Sequence, residues 1–183
     1  MILRPFRRRA EYRTIAALYG AIVTQARSSA FYADFGVPDT VQGRFDLIVL
    51  HLVLLLRRLG RENGAAPALG QQLFDTFCRD LDDNLREMGI GDLAVPKHMR
   101  RFGEAFYGRQ AAYLAALDAK DGADFENALA RNIFLVVSSD ERAARLARYA
   151  RAALQELDVQ EYGAIIQGEV VFPRPEAFAS VRA

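Results

Sequence analysis

Residues 73–110 read LFDTFCRDLDDNLREMGIGDLAVPKHMRRFGEAFYGRQ, and this stretch decides the fold. Before the turn GIGDLAVP, apolar residues recur every four positions and the residues between them are mostly charged or polar. The members of this stripe are Leu69, Leu73, Phe77, Leu81 and Leu85. After the turn, Pro96 suits the first turn of a helix, and Met99, Phe102 and Phe106 begin a second stripe. The stretch therefore predicts two amphipathic helices joined by a short turn.

Helical spacing continues in both directions along the chain. We predict helices over residues 9–27, 41–59, 68–88, 97–117, 125–137 and 141–157. Asp39 and Thr40 are candidate N-caps of the second helix, and Gly89 is a candidate C-cap of the third. The prolines in EVVFPRP, residues 169–175, exclude a further helix there. The predicted fold is all-α: a single-domain helical bundle of about six helices over residues 1–157, with an irregular C-terminal arm over 158–183 that is extended or partly disordered.

Composition excludes several classes of protein. Lys and Arg number 24 against 23 Asp and Glu, so the net charge gives no argument for nucleic acid, and no DNA binding is expected. The single cysteine, Cys78, excludes an internal disulfide and fits a reducing compartment. The arginine-rich N-terminus lacks the apolar segment and cleavage site of a secretory signal.

The longest apolar run is LIVLHLVLLL, residues 47–56, which only His51 interrupts. The run is about half as long as the roughly 20 residues that cross a bilayer as a helix. We therefore interpret it as the central, most buried helix of the bundle. Buried there, His51 would need a hydrogen-bond partner, because an unsatisfied buried polar group is costly.

Three clustered aspartates, Asp80, Asp82 and Asp83, are the best candidates for metal chemistry, since hard cations prefer oxygen ligands. They support one alternative function, a small helical enzyme that binds a diphosphate or isoprenoid. Their order in DLDDNLRE departs from the DDxxD spacing of such enzymes, and no second acidic motif faces them. A solvated helix face with charge pairs four residues apart is the simpler interpretation. No catalytic residue, cofactor site or metal ligand is predicted, and we expect the chain not to be an enzyme.

Four blocks of the chain closely resemble the ubiquinol–cytochrome c chaperone family. They are FDLIVLHLVLLLRRL (45–59), the opening stretch to residue 109, AAYLAAL (111–117) and ALARNIF (128–134). The resemblance implies an all-helical, non-catalytic assembly chaperone for the respiratory ubiquinol–cytochrome c reductase. Mitochondrial members of the family act on newly made cytochrome b, so unassembled cytochrome b or other reductase subunits are the implied partners. A general helical adaptor that binds a soluble partner is a further alternative.

The N-terminus and the exposed charges suggest a location for the protein. The sequence lacks a mitochondrial transit peptide, so we expect a bacterial-type member of the family in the bacterial cytoplasm, peripheral on the inner membrane. Four arginines are predicted to contact an anionic membrane surface: Arg4, Arg7, Arg8 and Arg9. Basic residues could equally contact the phosphates of a ribosome.

The resemblance does not assign client contacts to individual residues, so these are predicted from physical chemistry. A basic rim beside aromatic groups on the fourth predicted helix would suit an apolar client. The predicted client-binding residues are Lys97, Arg100, Arg101, Phe102, Phe106, Tyr107 and Arg109.

Some features leave two interpretations open. Lys97 and His98 oppose the dipole at a helix start, so they either bind a partner or pair with the acidic face of the third helix. Gly103 and Gly108 indicate either close internal packing or the approach of a partner. An arginine stripe on the last helix is either a solvated face or a contact for lipid or RNA. It consists of Arg142, Arg145, Arg148 and Arg151.

Overall fold

The computed structural model describes residues 4–62, 64, 66–119, 121–137 and 139–179, with side chains from Glu11 onward. The α-helices are α1 (Arg4–Ala26), α2 (Ser29–Ala33), α3 (Val41–Gly60), α4 (Ala66–Glu87), α5 (Val95–Asp118), α6 (Gly122–Leu129), α7 (Glu141–Val159) and α8 (Tyr162–Ile165). A π-helical turn, Ala130–Phe134, follows α6, and a 3-10 turn, Pro175–Phe178, ends the described arm. No residue in these ranges forms a β-strand, and the prediction of an all-α fold is confirmed.

Helix α3 is the centre of the bundle and packs against α1, α4, α5 and α7. Its start is fixed by Thr40, whose side-chain oxygen accepts a hydrogen bond from the Gly43 N–H at 3.1 Å. Glycine is required at that position, because a Cβ atom on Gly43 would lie 2.0 Å from the carbonyl oxygen of Pro38. Leu50 and Leu54 are fully buried, as the apolar run predicts.

His51 satisfies both of its ring nitrogens inside the core. Its Nδ1 lies 2.7 Å from the carbonyl oxygen of Leu47 and must carry the proton, because a carbonyl can only accept. Its Nε2 therefore accepts a hydrogen bond from the Tyr149 hydroxyl, also at 2.7 Å. Burial lowers the pKa of His51 to about 4, although the bond to Leu47 opposes that change. The prediction that this histidine has a hydrogen-bond partner is confirmed.

The helix predicted over residues 125–137 is wrong in its second half. Asp121 caps α6 by accepting from the Ala123 N–H at 2.9 Å, but α6 ends at Leu129 and the chain widens into the π-helical turn. Leu135 then adopts the left-handed conformation with φ 56° and ends the segment. A second difference is α2, which lies between the first two predicted helices, where no helix is predicted. Its Phe31 is fully buried, and this tertiary contact favours a helical turn that spacing does not reveal.

The described part of the C-terminal arm lies on the bundle. Gln160 holds Val171 by two bonds, accepting from its N–H at 2.9 Å and donating to its carbonyl oxygen at 2.8 Å. Gln25 donates to the carbonyl oxygen of Pro173 at 2.9 Å. Phe172 packs edge-on against the His51 ring, with 5.2 Å between ring centroids. The arm thus covers the polar centre of the core, and residues 180–183 lie outside the described part.

Candidate binding groove

An apolar groove with a volume of about 440 Å³ opens between α1, α3, α4 and α5. Helices α1 and α4 run in the same direction. Tyr12 shares a cleft with Gln72 and Thr76, and further along both helices Tyr19 bonds to Asp80. Both helices therefore end at the same end of the bundle, where α3 begins. The apolar residues that line the groove are Val41, Phe45, Ile48, Phe77, Leu81, Leu85, Met88 and Phe102.

The floor of the groove is a packed aromatic cluster. The ring centroid of Phe45 lies 6.0 Å from that of Phe77 and 5.0 Å from that of Phe102. Phe45 and Phe77 are buried, whereas Phe102 is half-buried and presents part of its ring to the groove. The rings are tilted against one another and come from three helices, so each is held by its neighbours and the floor is a preformed surface.

The open end of the groove, which we call the mouth, combines apolar and basic groups. It is formed by Arg27, Val41, Arg44 and Met88. Val41 is 68% exposed and Met88 is 64% exposed, which leaves two large apolar side chains in water. Exposed apolar surface that continues into a groove is typical of interaction sites. Methionine adapts to ligands of different shape, which suits a binding surface.

The charges of the groove are unevenly distributed. Arg44 pairs with Asp39 at 2.8 Å, and Arg27 is exposed without an ion-pair partner among the described residues. The inner end carries Asp80, which accepts a hydrogen bond from the Tyr19 hydroxyl at 2.8 Å. Burial and that bond to Asp80 raise the pKa of Tyr19 far above its ordinary value, so its hydroxyl stays protonated. The groove is therefore apolar in its middle and basic at its mouth.

A buried ion pair supports the floor from behind. The Arg109 guanidinium contacts the Asp46 carboxylate at 2.8 Å, and Gln42, which lines the groove, donates to the same carboxylate at 2.9 Å. Arg109 also donates to the backbone carbonyl of Ala105 at 3.3 Å. Burial raises the pKa of Asp46 to about 6, although Arg109 and Gln42 oppose the shift. Arg109 is thus committed to internal contacts.

The predicted client-binding residues separate into two groups. Lys97, Arg100, Arg101 and Tyr107 are exposed on α5, and Phe102 lines the groove. Phe106 is only 1% exposed, so its ring belongs to the core and not to a binding surface. Arg109 is likewise not part of an exposed surface, because only 14% of its side chain is exposed. Both corrections reflect tertiary packing that the spacing of α5 alone does not show.

The structure tests the alternative interpretations of Lys97, His98, Gly103 and Gly108 on α5. Lys97 and His98 make no ion pair with α4 among the described residues, and Arg100 pairs with Glu104 on its own helix at 3.7 Å. A Cβ atom on Gly103 or Gly108 would meet no atom within 4 Å. Close internal packing, one of the two interpretations of these glycines, is therefore wrong.

Most of the arginine stripe on α7 is used inside the protein. Arg142 pairs with Asp140 at 2.6 Å and lies over the Phe134 ring at 4.7 Å from its centroid. Arg145 donates to the backbone carbonyl of Asp34, and Arg151 donates to the carbonyl of Gly122 at 2.7 Å. Arg148 is the exposed member of the stripe. The side chains of Arg4, Arg7, Arg8 and Arg9 lie outside the described part of the chain.

The acidic cluster does not assemble a metal site in the described ranges. Asp80 bonds to Tyr19, and Asp82 pairs with Arg86 at 2.6 Å, as charge pairing along one helix predicts. No three His, Cys, Asp or Glu side chains within the described ranges lie together as ligands would. Cys78 is half-buried, and burial, with a smaller contribution from Asp75, raises its pKa above the ordinary value. These contacts give the enzyme alternative no support.

The groove itself is the feature that sequence reasoning misses. Its residues come from four separate predicted helices, and no local pattern brings Arg27, Ile48 and Met88 together. A weak signal exists in Val41 and Met88, which stand at helix ends outside the apolar stripes. In the described ranges no helix is both long enough and apolar enough to cross a membrane.

Comparisons with known proteins identify similar chains. The model of a family described as ubiquinol–cytochrome C chaperone matches residues 33–172. A ubiquinol–cytochrome-c reductase complex assembly factor 1 from Xenopus laevis is 27% identical over 162 residues, which span 86% of this chain and 80% of that protein. The crystal structure of a Cbp3 homolog from Brucella abortus superposes with a TM-score of 0.85 at 40% identity, covering 96% of this chain and 98% of that one.

Proposed function

The chain belongs to the ubiquinol–cytochrome c chaperone family, and from this membership we propose that it is a non-catalytic assembly chaperone of the respiratory ubiquinol–cytochrome c reductase. Its client is the unassembled cytochrome b subunit, which it holds beside the inner membrane of a bacterial cell. The similarity to an assembly factor of that reductase in Xenopus laevis supports the role.

The apolar groove is the observation that carries the proposal. An unassembled membrane subunit exposes apolar helices that have not yet found their partners or the bilayer. A groove between helices with an aromatic floor and apolar residues at its mouth is the kind of surface that binds an amphipathic or apolar helix. Phe45, Phe77 and Phe102 provide the floor, and Val41 and Met88 are the apolar residues of the mouth. The geometry therefore suits temporary cover of a client helix.

The exposed basic residues on α5 extend the same surface. Arg101 is the neighbour of Phe102 in the chain, and Lys97 and Arg100 lie within the preceding two turns, all three exposed. A client at a membrane surface is surrounded by anionic lipid headgroups, and each nearby basic residue adds roughly 1 kcal/mol of attraction to such a surface. The N-terminal arginines Arg4 to Arg9 remain predicted contacts of that kind.

Charged substitutions of Val41 and Met88, at the mouth of the groove, test the proposal. Val41→Glu combined with Met88→Glu places two carboxylates at the mouth, where an apolar helix would have to desolvate them. Both side chains are mostly exposed, so the fold should tolerate the change. We expect about tenfold less cytochrome b to co-purify from native membranes. A tenfold loss of affinity corresponds to roughly 1.4 kcal/mol of binding free energy.

The matched control is Val159→Glu, which changes a valine of similar exposure, 76%, on α7 away from the groove. It should recover cytochrome b as the wild type does. Equal recovery by the double variant and the wild type, at equal protein levels, would reject the groove as the client site. Enrichment of a soluble partner in place of reductase subunits would favour a general adaptor.

A further inference from the structure

The mouth of the groove carries a positive charge that no described residue balances by an ion pair. Arg27 follows the last residue of α1, is exposed, and makes no ion pair within the described ranges. Arg44 lies beside it on α3, but its charge is balanced by Asp39 at 2.8 Å. Arg27 and Arg44 line the same groove. Burial raises the pKa of Tyr32, and the positive charges of Arg44 and Arg27 both oppose that shift.

Among the described residues, the rest of the groove offers no second place for a negatively charged group of the occupant. Phe45, Ile48 and Leu81 line its middle. At the inner end, Asp80 already accepts the Tyr19 hydroxyl and would repel an anion. An occupant that matches the groove is therefore apolar along its length and negatively charged only at the end that emerges beside Arg27.

We propose that the groove binds an apolar helical segment of the client that is followed directly by an acidic side chain, and that this side chain pairs with Arg27. The inference rests on the proposed function and adds the chemistry by which the groove selects and orients one segment. A segment followed by a basic residue would bring two like charges together at the mouth. The groove would thus distinguish the two ends of an apolar helix by charge.

The size of the effect follows from the exposure of the mouth. Exposed ion pairs contribute modestly, so replacing a neutral flank by an acidic one should strengthen binding by about two- to fivefold. Replacing the neutral flank by a basic one should weaken binding by a similar factor. The preference should shrink as salt rises, because exposed charges are screened.

The experiment compares helical peptides of about 15 residues that share one apolar sequence and end in Glu-Glu, Gln-Gln or Lys-Lys. Fluorescence anisotropy measures their affinity for the full chain at low and at physiological salt. The wild type should bind the Glu-Glu peptide most tightly. Arg27→Gln should remove the preference, and Arg27→Glu should reverse it. Arg148→Glu, which changes an exposed arginine on α7, should keep the wild-type order.

Each result decides a different point. Equal affinities for the three peptides, or an unchanged order in Arg27→Glu, overturn the charge selection and leave the groove as a client site that ignores flanking charge. If none of the peptides binds, the charge selection and the client role of the groove both fail. Tighter binding of a free fatty acid than of any peptide, lost in Arg27→Glu, overturns the inference in favour of an anionic lipid as the occupant.

Discussion

The Nε2 atom of His51 and the hydroxyl oxygen of Tyr149 lie 2.7 Å apart in the centre of the bundle. The hydroxyl donates to the ring and accepts from Gln25, whose side-chain nitrogen lies 2.9 Å away. This arrangement needs a neutral imidazole, since a protonated ring would present a second N–H to the hydroxyl. The bundle is therefore built around one protonation state of one histidine.

Acid should destabilise the bundle through this histidine. The pKa of His51 is about 4 in the folded chain against an ordinary 6.5. A lowered folded-state pKa means that its contribution is complete above the unfolded value and is lost as pH falls toward 4. That contribution is about 3 kcal/mol. Urea unfolding of the wild type and of His51→Gln should show the wild type losing more stability between pH 7 and 4.

The comparison with His51→Gln separates the histidine from Asp46, whose raised pKa of about 6 has the opposite effect on stability. The Asp46 contribution increases as pH falls through 6 and is common to both proteins. Parallel stability curves for the two proteins would show that His51 does not titrate in this way.

Substituting Arg109 is expected to lower the stability of the fold, and any effect on client binding should follow from that loss. Arg109→Ala leaves the Asp46 carboxyl buried without its partner, which typically costs about 3–5 kcal/mol for a broken buried pair. Replacing both residues with apolar groups, as in Asp46→Leu with Arg109→Met, should restore much of the loss. Thermal unfolding measures both variants. An Arg109→Ala protein of normal stability that fails to bind cytochrome b would return this residue to the client surface.

Charge reversal on α5 should weaken client capture without unfolding the chain. Lys97, Arg100 and Arg101 are exposed, and surface changes usually alter stability by no more than about 0.5 kcal/mol. We expect less cytochrome b to co-purify with the triple glutamate variant. A matched control reverses three other exposed arginines, Arg13, Arg131 and Arg148. Recovery unaffected by the α5 changes counts directly against that part of the surface.

Alanine at the two open glycines of α5 should stabilise the helix. A Cβ atom on Gly103 or Gly108 meets no neighbour, and alanine in a helix interior is favoured over glycine by roughly 1 kcal/mol per site. Denaturant unfolding should show the gain for each single variant. If stability rises and client or partner binding falls, the glycines mark a surface that another chain approaches closely. A loss of stability would show that the flat helix face has an internal role.

Local signals in the sequence predict the helices well and the binding site poorly. The four-residue stripe from Leu69 to Leu85 and the cap at Thr40 depend on neighbouring residues, and the structure has both. Phe106 and Arg109 follow the same helical spacing as exposed residues of α5. Only the packing of α3 and α4 against them decides that they are buried. The groove depends on where α1 ends relative to α4, which no short pattern contains.

The π-helical turn shows the same limit on a smaller scale. ARNIF has ordinary helix formers, and nothing in it predicts a wider turn than the preceding ENAL. Ile133 and Phe134 are buried in this turn, and Leu135 adopts the left-handed conformation directly after it. The burial of these side chains depends on contacts with other helices, which the local sequence does not contain, and the end of the helix predicted over 125–137 is therefore wrong.

The C-terminal arm is held in place by hydrogen bonds to its backbone. Side chains of Gln160 and Gln25 bond to main-chain atoms of Val171 and Pro173, and Thr14 donates to the carbonyl of Ile166 at 3.2 Å. Every residue has a main-chain carbonyl, and every residue except proline has the N–H that Val171 donates, so these hydrogen bonds depend mainly on how many residues separate them. During evolution this segment is therefore free to exchange the side chains that face water. It is not free to gain or lose one residue, because a shift of one position would unseat Phe172 from His51.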